Sequence, residues 1–263
     1  MKIGIIGAGN MGGAIARGIA RSGMAAVEAI TVSSPNRNGE LDAISAEYPL
    51  IGTTTVNCKA AAGADMVIVA VKPWLLDEVM REIAPVVDFA KQMIVSIVAG
   101  VPLAHLEEFA PEGVKPAVFR LIPNTAIAVG ESMTFIAAAN ATATQIAAVS
   151  DIFSRMGKVM VVEERLMGAG TALASCGIAY VMRYVRAATE GGVELGMRAD
   201  DAKAVMLQTL IGAARLLEAT GNNPEVEIDK VTTPGGLTIR GLNAMERNGF
   251  TTAVIEGLKA SIK

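Results

Sequence analysis

The sequence predicts an α/β half built as a doubly wound sheet, followed by an all-α half, and three observations carry the prediction. Short, continuously apolar runs alternate with helical patterns from residue 2 to about residue 160. A glycine-rich segment, Gly7-Ala8-Gly9-Asn10-Met11-Gly12, separates the first apolar run from the first helical pattern. Beyond Glu163-Glu164 strand-like runs cease, and long helical patterns continue to the last residue. Runs that are apolar throughout, rather than alternating, belong to parallel strands covered on both faces by helices.

Taken in order, the predicted strands are 2–6, 29–33, 66–71, 93–97 and 117–121. Two shorter ones, 133–137 and 159–162, flank a helix over 141–156 and extend one edge of the sheet. The first helix, 14–21, is made of good helix formers and closed by Gly23. The domain boundary is drawn at 163/164, giving domains 1–163 and 164–263. In the second, helices run over 178–195, closed by Gly196, and over 199–220, with Gly221 just beyond; two more start near Leu237 and Thr251. The stretch 202–217 carries apolar residues on more than one face, more than one small domain covers alone. A second subunit is the expected cover, and packing on the sheet domain is the alternative.

Composition narrows the function classes. The chain has 263 residues, enough for two domains, and is 52% hydrophobic but only 4% aromatic, so its core is aliphatic and draws on 14 Met. A formal net charge of −3 with no Lys/Arg run argues against nucleic acid as a partner. Cys58 and Cys176 lie far apart, outside any CxxC or His-rich pattern, which argues against a disulfide framework or metal site and fits a reducing cytoplasm. Residues 1–6 are too short an apolar run for a signal peptide, and no stretch reaches the roughly 20 apolar residues of a membrane-spanning helix.

Residues 7–12 read G-x-G-x-x-G after a strand and before a helix, the context that makes this a dinucleotide-binding, Rossmann-type turn. Gly7 permits the tight turn, Gly9 lets backbone approach a pyrophosphate, and Gly12 permits close helix packing; Ile6, Ala8, Asn10 and Met11 complete the segment. The second strand ends in Thr31-Val32-Ser33-Ser34-Pro35-Asn36-Arg37, without the carboxylate that would accept a ribose 2′-hydroxyl. Hydroxyls of Ser33 and Ser34 and the Arg37 guanidinium suit a 2′-phosphate, so NADPH is the expected cofactor, with NADH weaker. Asn57 is added to the candidate cofactor residues. Ala70-Val71-Lys72-Pro73 closes the third predicted strand at the ligand-binding edge. Lys72 reads equally as a phosphate or carboxylate contact and as a surface lysine before a helix-starting proline. Ser96-Ile97-Val98-Ala99-Gly100 follows the next strand with residues small enough, Ala99 among them, to line a nicotinamide. The lone histidine, His105, reads as a surface residue at a charged helix start.

With 6–11, 70–73 and 96–101, the segments Pro123-Asn124-Thr125 and Val231-Thr232-Thr233-Pro234-Gly235-Gly236-Leu237-Thr238-Ile239 give the chain a resemblance, over almost its whole length, to the pyrroline-5-carboxylate reductase family. The resemblance implies NADPH-dependent reduction of a cyclic imine carboxylate to proline, by a homodimer or higher homo-oligomer whose C-terminal helices interleave. It makes the turn of Thr233, Gly235, Gly236, Leu237 and Thr238 the grip on the substrate carboxylate, puts the Thr238 hydroxyl, the candidate catalytic group, beside the imine nitrogen, and sets Glu164 near cofactor and substrate. The residues alone give a compatible picture: a proline followed by two glycines turns sharply, and glycine amides converge on an anion. They also read as turn and cap residues of a helix connection, and Glu164 as a solvated carboxylate at a strand end.

Where the family usually has Ser-Gly-Ser-Gly-Pro-Ala-Tyr, this chain has Ala174-Ser175-Cys176-Gly177-Ile178-Ala179-Tyr180; Ala126 stands for a common proline and Gly168 for a frequent acidic residue. These departures keep open a reductase of another small imine or keto acid, or an NADPH-binding regulatory module without chemistry. A β-hydroxyacid dehydrogenase is disfavoured, since the C-terminal half offers no evident lysine beside a helical glycine-rich turn.

Overall fold

The computed structural model describes residues 1–24, 26–35 and 39–262. Within them the chain forms two compact units, Met1–Ser175 and Cys176–Lys263.

The first unit is the expected doubly wound sheet. Its strands are β1 (Lys2–Ile6), β2 (Ala29–Ser33), β3 (Ile51–Thr54), β4 (Met66–Val69), β5 (Met93–Ser96), β6 (Val118–Ile122), β7 (Ser132–Ala139) and β8 (Gly157–Val161), ordered β3-β2-β1-β4-β5-β6-β7-β8. Every neighbouring pair is parallel except β6 and β7. That pair is antiparallel because only a short turn, Thr125–Val129 and Gly130, joins it, with no length for a crossover. Strand β3 was not expected: Ile51-Gly52-Thr53-Thr54 has one apolar residue, and edge position rather than composition makes it a strand. The expected run 66–71 stops as a strand at Val69, where the chain turns out of the sheet.

Adjacent residues of each strand serve opposite faces. Ile3, Ile5, Val32, Ile68, Val95 and Phe119 pack with helices α1 (Asn10–Ser22) and α2 (Gly39–Glu47) on one side, and Ile6, Val67, Val69, Ile94 and Val118 with α3 (Asn57–Ala61), α4 (Leu76–Ile83) and α5 (Leu103–Glu107) on the other. Helix α1 starts earlier than its apolar pattern, at Asn10, and ends at Gly23, whose left-handed backbone lets its N–H donate to Ala20 O. Helices α2 and α3 were not anticipated. Helix α6 (Ala143–Ser154) is shorter than the predicted 141–156 because Thr142 and Gln145 form a capping box that fixes its start.

Residues beyond the last strand still fold onto this unit. Met167, in α7 (Met167–Gly170), is fully buried in the second core, and a Cβ at Gly170 would meet the Phe135 ring at 2.8 Å. A π-helical stretch, Thr171–Cys176, follows.

The second unit holds α8 (Gly177–Glu194), α9 (Ala199–Thr220), α10 (Pro224–Lys230), α11 (Leu237–Arg247) and α12 (Phe250–Ala260). Helix α10 escaped the sequence reading; Asn223 caps it and Pro224 opens it. Among its described residues only Ala202 and Glu227 are buried. Tyr184, Met245, Phe250 and Val254 line an open apolar groove of about 740 Å³. Among the described residues no helix is long and apolar enough to cross a membrane, and no cluster of His, Cys, Asp and Glu is arranged to hold a metal.

Candidate functional site

The sheet order reverses at β1, which has β2 on one side and β4 on the other. Connections leave the two strands in opposite directions, opening a crevice at their carboxyl ends. The loops after β1 and β4 border it and are tied together: Ala70 N–H donates to Ile6 O at 2.8 Å.

Each glycine of the first loop has a physical reason. Gly7 has φ +108°, donates its N–H to Ser33 O at 2.8 Å, and a Cβ there would lie 2.6 Å from Ala70 O. At Gly12 a Cβ would meet Gly7 O at 2.0 Å, so only glycine lets α1 begin so close under the turn. Gly9 is different. It is the N-cap of α1, uses no side-chain cap, and a Cβ there meets nothing within 4 Å. The open space faces the start of a helix with no acidic residue in its first turn. The first-turn amides of Asn10, Met11 and Gly12 have no intrahelical acceptor and suit a pyrophosphate. Ala8, 2% exposed, anchors the loop in the core, while Asn10 is exposed and Met11 half-buried.

The structure distributes the remaining candidates unevenly. Lys72 and Pro73 are exposed and open a short helical turn, Pro73–Leu75; Ala70 and Val71 are half-buried. Ala99 is exposed beside Gly100, whose φ is +79°, and the buried Ser96 hydroxyl shapes this loop by accepting from the Val98 N–H at 3.2 Å. Ser33 departs from expectation. Its hydroxyl is fully buried and donates to Asn57 Oδ1 at 2.8 Å, and Asn57 Nδ2 donates to Glu82 Oε2 at 2.7 Å. These two residues tie the end of β2 to the start of α3, and the Ser33 hydroxyl gives its proton to Asn57 rather than to a phosphate. Ser34 N–H donates to Thr54 O at 3.1 Å. Arg37 lies outside the described residues.

Glu164 is not the solvated strand-end carboxylate of the alternative reading: its Oε1 accepts from the Leu103 N–H at 2.8 Å and from Arg120 Nη1 at 3.1 Å. Arg120 carried no sequence signal, because a lone arginine in an apolar strand shows its partner only when the chain is folded. Asn124 is 8% exposed; its Oδ1 accepts from Ala126 N–H and its Nδ2 donates to Ala174 O at 3.4 Å, while Ser175 Oγ donates to Pro123 O at 3.1 Å. His105 is more than a surface residue. It is half-buried, with Nε2 2.8 Å from Asp77 Oδ1 and Nδ1 2.9 Å from Glu108 Oε2. The Asp77 hydrogen bond, then that of Glu108, holds its pKa above the ordinary histidine value.

In the second unit, Gly235 adopts φ +70° and Gly236 N–H donates to Thr233 O at 2.9 Å, so the chain doubles back immediately before α11. Gly236 is the N-cap, Leu237 the first helical residue and Thr238 the second, so Thr238 does not itself open the helix. Thr232 spends its hydroxyl on Ile228 O, and Arg240 Nη2 clasps Gly235 O at 2.8 Å from one turn along. The Thr238 side chain is exposed and Leu237 is 84% exposed. The turn thus presents first-turn amides and a hydroxyl together, the donor set a small carboxylate needs.

A Rossmann crevice with an anion-ready glycine loop, carried in one chain with a helical unit bearing its own anion-ready turn, defines a dinucleotide-dependent oxidoreductase. Residues 164–263 match the family model for pyrroline-5-carboxylate reductase dimerisation, and residues 2–100 that for NADP oxidoreductase, coenzyme F420-dependent. The chain belongs to the pyrroline-5-carboxylate reductase family: it is 35% identical over 264 residues to the pyrroline-5-carboxylate reductase of Synechocystis sp., covering 100% of this chain and 96% of that one. It is 36% identical to pyrroline-5-carboxylate reductase 1 of Dictyostelium discoideum, where it spans 98% of itself but 48% of the longer relative. Among solved structures, the Coxiella burnetii pyrroline-5-carboxylate reductase superposes with TM-score 0.89 at 27% identity, covering 98% and 95% of the two chains. The Plasmodium falciparum pyrroline carboxylate reductase, solved with NADP bound, gives 0.87 at 26%, covering 99% and 95%.

Proposed function

We propose that this protein reduces 1-pyrroline-5-carboxylate to L-proline with NADPH, in the cytoplasm, as a homodimer or larger homo-oligomer built on residues 164–263. The observation that carries the proposal is the turn Thr233–Thr238, whose geometry suits a carboxylate beside a hydrogen-bonding hydroxyl.

In this reading Ile6, Gly7, Ala8, Gly9, Asn10, Met11 and Gly12 would cradle the pyrophosphate, Ser34 and Arg37 would suit the 2′-phosphate, Ala70, Val71, Lys72 and Pro73 would border the cofactor ribose, and Ala99 would line the nicotinamide. Ser33 and Asn57 tie the end of β2 to α3. When bound, the nicotinamide supplies the hydride. The substrate arrives with its imine nitrogen protonated; hydride adds to the imine carbon, the C=N π pair becomes the nitrogen lone pair, and no further proton donor is required. The protein's part is proximity and orientation. Gly235, Gly236 and Leu237 hold the carboxylate by backbone, and Thr233 shapes the turn. Thr238 hydrogen-bonds the nitrogen, since an alcohol is a poor acid near neutral pH.

The test is loss of NADPH absorbance with 1-pyrroline-5-carboxylate, wild type beside Thr238→Ala. Turnover that falls about 10- to 1000-fold in the variant supports reaction and site together. Tight NADPH binding without turnover overturns the substrate assignment and favours the second reading, reduction of another small imine or keto acid, which the altered 174–180 segment motivates.

A further inference from the structure

We infer that Glu164 acts as a positioning residue, which through Arg120 and the Leu103 amide fixes the loop that follows β5, and is not itself a ligand of the substrate; this rests on the function proposed above. Both hydrogen bonds converge on one carboxylate oxygen, Oε1, at 2.8 Å from Leu103 N and 3.1 Å from Arg120 Nη1. Leu103 is the first residue of α5, and its N-cap, Pro102, has no side-chain acceptor to offer. The orphan amide that begins every helix is capped here from far along the chain.

The consequence lies upstream of α5. The segment between β5 and α5 is pinned at its start, where Ile97 N–H donates to Val69 O at 3.1 Å, and by buried Val98 and Val101 within it. The bond to Glu164 pins its far end, leaving Ala99 and Gly100 exposed at the carboxyl edge of the sheet. Arg120 adds a second hold from the middle of β6, four residues before Asn124. Its side chain is only 15% exposed, and its Nε is buried with no hydrogen-bond partner. An arginine with an orphaned buried donor is a poor choice for stability alone. A group kept in spite of that cost is better explained by the geometry it imposes on the loop than by the energy of the pair.

Because both bonds use one oxygen, Glu164→Gln keeps an acceptor for both and loses only the charge, whereas Glu164→Ala loses both. The experiment measures steady-state kinetics with NADPH and 1-pyrroline-5-carboxylate, the NADPH dissociation constant, and amide hydrogen exchange at Leu103, on the full chain. Expected for Glu164→Gln are retained Leu103 protection and kcat within about 3-fold of wild type; for Glu164→Ala, lost protection and a kcat lower by about 10- to 100-fold, with KM for the imine changed by less than about 3-fold. Arg120→Met, close in length and apolar, should lower kcat in the same direction and leave that KM unmoved, and it stands in if Glu164→Ala fails to fold. A KM raised about 10-fold or more in both Glu164 variants, with Leu103 still protected, makes Glu164 a substrate ligand and overturns the inference. Absence of turnover in wild type sinks the proposed function instead. The inference is then judged separately: lost Leu103 protection and weakened NADPH binding in Glu164→Ala, but not in Glu164→Gln, sustain it, and no change in either overturns it.

Discussion

The two units dispose of apolar surface in opposite ways. In the sheet unit residues of the inner strands face one of two helix layers, and Ile5, Ile6, Ile68, Val69 and Val95 reach zero exposure. In the helical unit Tyr184, Phe250 and Val254 remain 37%, 43% and 46% exposed within the single chain. A two-sided sheet buries its residues by pairing with its own crossover helices, whereas helices that are apolar on several faces exceed what one another can cover. One unit closes its core within the chain. The other is built for a partner of the same kind, and the dimerisation family model falls on it.

The sharpest way to break this contrast is to put a charge on the open face. Val254→Asp, in the groove of the helical unit, should convert the oligomer to monomers in size-exclusion chromatography with light scattering and cut turnover by at least about 100-fold, since a carboxylate is costly to bury in an apolar interface. A fully assembled, active variant would mean that this groove faces solvent in the working protein.

A smaller effect tests the sheet unit. Gly12→Ala forces a Cβ onto Gly7 O and should weaken NADPH binding by about 10- to 100-fold while lowering the melting temperature. Gly9→Ala clashes with nothing in the chain, so its expected loss of about 10-fold in NADPH affinity, with melting temperature unchanged, reads the ligand alone. Unchanged affinity in Gly9→Ala would show that no anion approaches this loop.

The smallest effect concerns α4 and α5, which His105 joins through Asp77 and Glu108. Arg81 faces Asp77 from the other side at 3.2 Å. Because His105 has a raised pKa in the folded chain, its pairing contributes in full below the unfolded value near 6.5 and fades as pH rises through the folded value. His105→Gln should therefore melt below wild type at pH 5.5 by about 2 °C, with the gap closing by pH 9, the modest size reflecting a partly exposed pair. A gap independent of pH would assign the loss to packing against Phe109.

Much of the fold was legible because its signals are local. The apolar run Lys2–Ile6 beside G-x-G-x-x-G, and the span Ala199–Thr220 stopped by Gly221, were read at the boundaries the structure has. The misses share a cause. Ile51–Thr54 is a strand only because β2 offers it an edge, and the π-helical turn at 171–176 has no compositional mark. Within the site, glycine positions were legible because steric need for a missing Cβ is written in the residue type. The role of Ser33 was not, since a serine at a strand end looks the same whether its hydroxyl meets a ligand or, as here, Asn57.

By itself the sequence determined the order of apolar runs and helices, the glycine loop with its demand for a close backbone approach, and the Pro234-Gly235-Gly236 turn before a helix, because each depends on neighbours within a few residues. Only the tertiary structure decided that Ser33 turns inward, and that Glu164 and Arg120 meet at the amide of Leu103. Those outcomes rest on pairings between residues up to 61 positions apart, and a chain carries no local record of which distant donor its acceptors will find.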